Sequence, residues 1–142
     1  MICIDSGIPS SGENHRGYSE LRQVLSAIQE ICRQLLSENT KNCISIVDLC
    51  GDSDAKCLMK YRSDNRVIET ILNSIVKHSC VGLPMHFIRG LQIASDCLQT
   101  TFYPKKTLMV FVKNPIQSTK QELSFSSLDS LTRISNLFVH II

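Results

Sequence analysis

Three aspartates lie close together in the first half of the chain, at Asp48, Asp52 and Asp54. A calcium-binding loop of the EF-hand type needs a D-x-D-x-D-G series and a glutamate at its end. The sequence has neither at this place. Gly51 and Ser53, which separate the aspartates, are turn-forming residues. We therefore predict a hairpin turn here and no calcium site.

The cysteines and histidines form no metal-ligand set. Seven cysteines occur in no paired spacing and without a C-x-x-C motif, and most lie in apolar runs. This usage is typical of reduced thiols that serve as small core residues, and it favours the cytosol and nucleus over a secreted location. His86 is predicted to cap or pack near the start of a helix. A catalytic Cys–His pair depends on the fold and stays open.

Phosphate-binding loops and hydrolase motifs are also missing from the sequence. No G-x-G-x-x-G follows an apolar run, and no G-x-x-x-x-G-K-[ST] occurs. There is no G-x-S-x-G elbow and no paired acid–base set. We therefore predict a non-enzymatic protein without a cofactor. A small α/β enzyme remains an alternative.

Length and charge restrict the class of protein further. At 142 residues, of which 43% are hydrophobic, the chain is predicted to be one domain, residues 1–142. A net charge of +2 gives no electrostatic footprint for nucleic acid or an anionic membrane. No apolar run reaches the ~20 residues that span a bilayer. The first residues lead directly into a predicted strand, so we expect no signal peptide.

The elements that must position any site are organised around the apolar run 107–112, which Lys113, Asn114 and Pro115 terminate. A run this short and uncharged is typical of a strand buried on both faces. Further strands are predicted at 1–5, 43–50, 55–61 and 137–142, and helices at 18–39, 65–76, 88–98 and 123–134. The strand at 55–61 follows a tight turn and can only be antiparallel to its predecessor. The order β-α-β-β-α-α-β-α-β predicts an α/β fold with a mostly parallel sheet, one antiparallel edge strand and helices on both faces.

This order, with short matching segments along the chain, resembles the Rossmann-like von Willebrand A-type domain. Within that superfamily it is similar to the ubiquitin-receptor family of A-type, non-ATPase subunits of the 26S proteasome regulatory particle. The segments that carry the resemblance are Met1–Ser6, Gly17–Ser19, Glu38–Thr40, Leu91–Ala94 and Val110–Phe111 with Pro115–Ile116. The family's domain continues through a further helix and strand, so the resemblance implies a domain truncated at its C-terminus. A ubiquitin-binding helix is not found in the sequence.

The resemblance also implies where a metal would bind. A-type domains often hold a divalent cation on a D-x-S-x-S turn, a threonine from a second loop and an acid after the central strand, all hard oxygen ligands. Here the turn reads Asp5-x-Gly7-x-Pro9, and the second loop offers Gly82-Leu83-Pro84. Lys113-Asn114 follows the central strand. One carboxylate does not make such a site, and we predict that no metal binds.

Asp5 then has two compatible roles. It can accept hydrogen bonds from backbone N–H groups of its own turn, and the resemblance implies that it helps hold the domain to its neighbours. We predict that Asp5→Ala leaves the fold largely intact and weakens assembly. The predicted protein-interface residues are Asp5, Ser6, Ser10, Ser11, Asn114 and Pro115.

By resemblance, the function is that of a non-catalytic structural subunit that bridges lid and base of the regulatory particle. The expected partners are lid and base subunits, with ubiquitylated substrates met only indirectly, in cytoplasm and nucleus. An alternative is the A-type core subunit of the transcription and repair factor TFIIH, suggested by Cys80-x-Gly82-x-Pro84 before the third helix. The zinc-binding cysteine clusters of that subunit are missing from this sequence.

Overall fold

The computed structural model describes residues 1–10, 14–79, 81–114 and 126–142. In chain order the strands and helices are β1 (Ile2–Ile4), α1 (Asn14–Glu38), β2 (Ile44–Asp48), β3 (Lys56–Arg62), α2 (Asn65–His78), α3 (Phe87–Gln99), β4 (Lys106–Phe111), α4 (Ser126–Thr132) and β5 (Leu137–Ile141). The predicted order of elements is therefore confirmed. No helix in these ranges is both long and apolar enough to cross a membrane.

The five strands form one sheet in the order β3-β2-β1-β4-β5. β1 runs parallel to β2 and β4, and β5 runs parallel to β4, whereas β3 pairs antiparallel with β2 at the opposite edge. The predicted α/β class, with a mostly parallel sheet and one antiparallel edge strand, is confirmed. Ile4 lies in register with both Asp48 and Phe111. The three central strands therefore end together, at what we call the carboxyl edge.

Alternation along the strands supplies two hydrophobic cores, one on each face of the sheet. Ile2 and Ile4 of β1 pack in the core that contains the apolar residues of α1 and α2. Cys3, between them, packs in the core on the other face with residues of α3 such as Leu91. This placement follows from the period of two that side chains have along a strand. Helices therefore cover both faces, as the sequence predicts.

The structure changes some predicted details. α1 begins at Asn14, four residues before Tyr18, so the helix includes the polar segment 14–17 ahead of the predicted apolar stripe. In β4, Leu108 and Val110 are fully buried, but Met109 between them is only half-buried. The prediction that β4 is buried on both faces therefore fails at Met109, which lines an open cavity. Leu123, assigned to the last helix, lies outside the described residues.

Candidate functional site

The loops that follow β1, β2 and β4 meet at the carboxyl edge of the sheet. Backbone hydrogen bonds place them there: Asp5 N–H donates to the Phe111 carbonyl oxygen at 2.9 Å, and Leu49 N–H donates to the Ile4 carbonyl oxygen at 2.8 Å. Asp5 is the first residue after β1 and is only 2% exposed. The candidate site is therefore built around a buried carboxylate.

Both oxygens of the Asp5 carboxylate are fully hydrogen-bonded by the protein itself. Oδ1 accepts from Gly7 N–H at 3.1 Å, the Cys50 thiol at 3.1 Å and Asn114 Nδ2 at 3.1 Å. Oδ2 accepts from Lys113 N–H at 3.1 Å, Asn114 N–H at 2.8 Å and Asn114 Nδ2 at 3.0 Å. Three donors on each oxygen leave no free lone pair directed at a ligand. The predicted turn-holding role is thus seen in the geometry, and the donors come from three loops.

Asn114 takes the position at which the A-type metal pattern requires an acid. Its amide nitrogen bridges the two Asp5 oxygens and also donates to the Gly7 carbonyl oxygen at 3.1 Å. The amide therefore brings the positive end of a dipole to the carboxylate, where a cation would otherwise neutralise it. The side chain is neutral and short, so it satisfies Asp5 without a second buried charge.

Gly7 stands where the D-x-S-x-S pattern has its first serine, and the surroundings leave little room for a side chain. A Cβ atom at position 7 would lie 3.1 Å from Cys50 Sγ, 3.2 Å from Asp5 Oδ1 and 3.4 Å from Asn114 Nδ2. A hydroxyl-bearing residue would therefore crowd the hydrogen-bonded cluster. The residues present do not fit a divalent cation, and in the described ranges no three His, Cys, Asp or Glu side chains are grouped to hold one.

The loop before α3 joins the site through its backbone. Gly82 N–H donates to the Ile8 carbonyl oxygen at 2.8 Å, and Ile8 forms a parallel bridge with Val81. Gly82 has φ +77°, a conformation that glycine adopts without a steric penalty. The A-type pattern expects a threonine ligand from this loop, and here the loop supplies main-chain contacts instead. Cys80, which belongs to the alternative motif, lies outside the described residues.

The thiol of Cys50 is a donor and not a nucleophile. Burial raises the pKa of Cys50 well above its ordinary value, and the neighbouring Asp5 carboxylate raises it further. The proton that stays on sulfur is the one donated to Asp5. Burial also raises the pKa of Cys3 to about 12 and of Cys32 to about 11. None of these three thiols is therefore activated as a thiolate.

Asp48 forms a second carboxylate cluster next to the first. Its Oδ1 accepts from the Ser6 hydroxyl at 2.7 Å and from Cys50 N–H at 3.0 Å. Burial raises the pKa of Asp48, and the Ser6 hydrogen bond offsets part of that rise. The Ser6 hydroxyl is therefore hydrogen-bonded inside the molecule, where it links the loop after β1 to the end of β2.

The raised pKa of Asp48 gives an expected pH dependence. Because the folded state binds this proton more tightly than the unfolded state, the stabilisation is complete below the ordinary Asp pKa of about 3.9 and is lost as pH rises through the folded pKa. We expect the parent to lose stability relative to Asp48→Asn as the pH is raised from about 4 to neutral. Urea unfolding of both proteins across that range measures the difference. A difference that is independent of pH, or that grows in the opposite direction, would contradict the assignment.

The structure places the predicted interface residues unequally. Asp5 and Ser6 are buried, Asn114 is half-buried and Ser10 is exposed. Ser11 and Pro115 lie outside the described residues. Ser10 and the exposed part of Asn114 can therefore contact a partner directly. Asp5 and Ser6 can affect such a contact only by holding the loops in position. The interface itself stays a prediction.

Sequence reasoning missed Cys50 as a member of the site, and it assigned Asn114 to an interface without its hydrogen bonds to Asp5. The available signal was positional: both residues lie within three residues of the end of a strand at the carboxyl edge, where the loops of neighbouring parallel strands converge. Asp52 and Asp54 lie in the turn between β2 and β3, as predicted, whereas Asp48 is the last residue of β2. Asp54 pairs with Arg89 at 3.0 Å.

The strand order, the parallel core and the antiparallel edge define a von Willebrand A-like fold. The vWF domain of the type V pili tip protein Mfa5 from Porphyromonas gingivalis matches with a TM-score of 0.56 and 14% identity, over 80% of this chain and 38% of that one. An aerotolerance-related membrane protein from Bacteroides fragilis matches with a TM-score of 0.59 and 14% identity. The conserved hypothetical protein BatB from Bacteroides thetaiotaomicron matches with a TM-score of 0.58 and 12% identity.

These last two matches each cover 99% of this chain and 64% of the other chain. The chain thus spans less than two thirds of the length of each of these structures. At such low identity the likeness establishes the fold alone. The chain matches no protein-family model and no curated protein sequence.

Proposed function

We propose that this chain is a non-catalytic protein-binding domain that keeps the A-type fold without its metal. The observation that supports this most is the saturation of Asp5 by Asn114 and by backbone N–H groups, which leaves no ligand for a cation. An A-type domain of this kind makes contacts through polar and apolar groups of its loops rather than through a shared metal ion. Burial also raises the pKa of four thiols, those of Cys3, Cys32, Cys50 and Cys57, which does not favour a cysteine nucleophile at these positions.

In its finer form, the proposal is a structural subunit of the 26S proteasome regulatory particle that bridges lid and base in cytoplasm and nucleus. The support is the sequence resemblance of the segments that form β1, α3 and β4. Its partners would be lid and base subunits, with ubiquitylated substrates held by neighbouring subunits. The loss of the metal-ligand pattern at Asp5 agrees with this assignment, because the resemblance implies that this subunit family also lacks the metal.

The surface that we assign to partners is the carboxyl edge. Ser10, Val81, Gly82 and Pro84 are exposed there, and a Cβ atom at position 82 would lie 3.7 Å from Ser10 Cβ. The mixture of small, apolar and hydroxyl groups without a carboxylate fits a protein surface better than a cation or a nucleic-acid backbone. The rigid hydrogen-bonded cluster beneath would keep these loops in a fixed arrangement for binding.

Affinity purification of the tagged chain, followed by peptide identification, tests the finer proposal. We expect lid and base subunits to be recovered with the parent, and recovery to fall for Ser10→Arg, which places a long cation on the proposed surface. Asn73→Arg, on the exposed side of α2, is the matched control and should recover partners like the parent. Recovery of helicase subunits would favour TFIIH, and equal recovery with Ser10→Arg would remove the carboxyl edge as the interface.

Lys113 offers a separate test of the packing beside the site. Its Nζ atom is buried and has no hydrogen-bond partner among the described residues. A buried ammonium group without a hydrogen-bond partner lowers the free energy of unfolding. We expect Lys113→Met to stabilise the chain by about 1–3 kcal/mol in urea unfolding.

The control for this prediction is Lys77→Met, which removes an exposed lysine from the last turn of α2. Its stability should stay near that of the parent, since exposed substitutions usually change stability little. A loss of stability in Lys113→Met would mean that the amine is satisfied within the chain.

A further inference from the structure

A cavity lies at the end of the sheet opposite to Asp5, where β1, β2 and β4 begin. We call this end the amino edge. The cavity encloses about 280 Å³. This equals roughly nine water molecules at ~30 Å³ each, enough for a small organic ligand and too little for a dinucleotide. Ligands of α/β folds are usually held at the carboxyl edge, whereas this cavity lies at the amino edge. It is therefore separate from the site built on Asp5.

Apolar side chains from both faces of the sheet line the cavity. They are Met1, Leu35, Ile44, Leu98 and Met109. Two of these side chains are methionines, whose unbranched thioethers adapt to ligands of different shape. The cavity also explains why Met109 is half-buried in the middle of an otherwise buried strand. An apolar chain bound here would complete the burial of Met109.

The rim carries charge of one sign only. Lys105 and Lys106 line it, and no acidic residue does. Within the described part of the chain, neither lysine has a carboxylate within 4 Å. Two lysines among the residues that line a largely apolar cavity are complementary to one anionic head group on an apolar body.

One side of the cavity is held in a strained conformation. Tyr61 has φ +48°, which is rare for a bulky residue and persists only when the surroundings impose it. Its N–H donates to the Ser45 hydroxyl at 2.9 Å, and its own hydroxyl donates to the Cys97 carbonyl oxygen. The ring contacts Tyr103, with centroids 6.5 Å apart. The wall is thus fixed in advance, which favours a small ligand that binds without rearrangement.

We propose that this cavity binds a small amphipathic monocarboxylate, with its apolar chain against Met1 and Met109 and its carboxylate between Lys105 and Lys106. The binding is non-covalent, and it does not depend on the function proposed for the carboxyl edge. The ligand class follows from the limited volume and from the combination of an apolar wall with two lysines that have no carboxylate partner in the described ranges.

The chain carries its own internal control for a test by NMR, because it has four methionines. Met1 and Met109 line the cavity, whereas Met59 and Met85 do not. With ¹³C-labelled methionine methyl groups, we expect titration with octanoate to give saturable shifts of the Met1 and Met109 signals. The Met59 and Met85 signals should stay in place. Octan-1-ol and octylammonium, titrated in parallel, are expected to bind at least tenfold more weakly.

The variant pair Lys105→Gln with Lys106→Gln tests the charged rim. We expect octanoate affinity to fall about tenfold or more, with octan-1-ol affinity unchanged. Lys56→Gln with Lys77→Gln removes the same net charge at two exposed positions elsewhere and should leave octanoate binding intact. An equal loss of octanoate affinity in both double variants would overturn the assignment of the carboxylate head group to Lys105 and Lys106.

Three other results would also overturn the proposal. One is an octanoate titration in which Met1 and Met109 do not shift. Another is a shift of all four methionine signals that grows linearly without saturation, since it would reflect non-specific association. The last is equal affinity for octanoate and octylammonium, because it would show that the two lysines do not select an anion.

Discussion

Replacement of Asp5 by alanine is expected to lower the free energy of unfolding by about 3–5 kcal/mol. The substitution removes the acceptor of six hydrogen bonds at a position that is 2% exposed. Each buried donor left unpaired costs about 1–3 kcal/mol, although the costs do not simply add. Since a domain of this size has only ~5–15 kcal/mol of stability, the variant should unfold at a much lower urea concentration.

This expectation corrects the one drawn from the sequence, in which Asp5→Ala leaves the fold largely intact. The sequence places Asp5 in a turn, where one or two local backbone donors are usual. The structure adds donors from Cys50 and from Lys113 and Asn114, which are distant in sequence. Asp52→Ala, at an exposed turn position, is the control and should change stability by less than about 0.5 kcal/mol. An Asp5→Ala protein as stable as that control would show that the cluster does not hold the loops.

A charge placed in the middle of β4 should abolish cooperative folding. Val110 is 0% exposed and packs in the core on the α3 face. An unpaired carboxylate there costs several kcal/mol or forces the strand out of the sheet. We expect Val110→Asp to show no cooperative thermal transition by circular dichroism. Met109 lies beside the cavity and is only half-buried, so the same change at that position is a weaker test.

Ile141→Asp is the matched control for this experiment. Ile141 lies in register with Val110 on the neighbouring strand β5, so the two side chains are on the same face of the sheet. Ile141 is 66% exposed, and a carboxylate at that position remains hydrated. The control should melt cooperatively near the temperature of the parent. A cooperative melt of Val110→Asp at that same temperature would mean that β4 is not the buried strand of the sheet.

The fold was accessible from the sequence because apolar periodicity reports burial directly. The stripe on α1, the short run at β4 and the tight turn between β2 and β3 each have one ready structural interpretation. The strand order follows from these elements together with the rule that parallel strands need a crossover. Element ends were less accurate, as the start of α1 at Asn14 shows, because a helix can extend into a polar segment without leaving an apolar signal.

The chemistry of the site was only partly accessible. The loss of the metal pattern can be read from Gly7 and Lys113-Asn114, since the required oxygen ligands are missing. That Asn114 donates to both Asp5 oxygens depends on how two loops, more than a hundred residues apart, meet in space. The cavity at the amino edge depends on the strained Tyr61 and on residues from six strands and helices, for which no local pattern exists. Such features require coordinates.

The central claim is that the Asn114 amide and backbone N–H groups replace a cation at Asp5. Thermal melting of the parent with increasing millimolar Mg²⁺, at constant ionic strength, tests it most directly, since any ligand that binds the folded state raises the melting temperature. We predict an unchanged melting temperature over the whole titration. A saturable rise, which disappears in Asp5→Asn, would contradict the account.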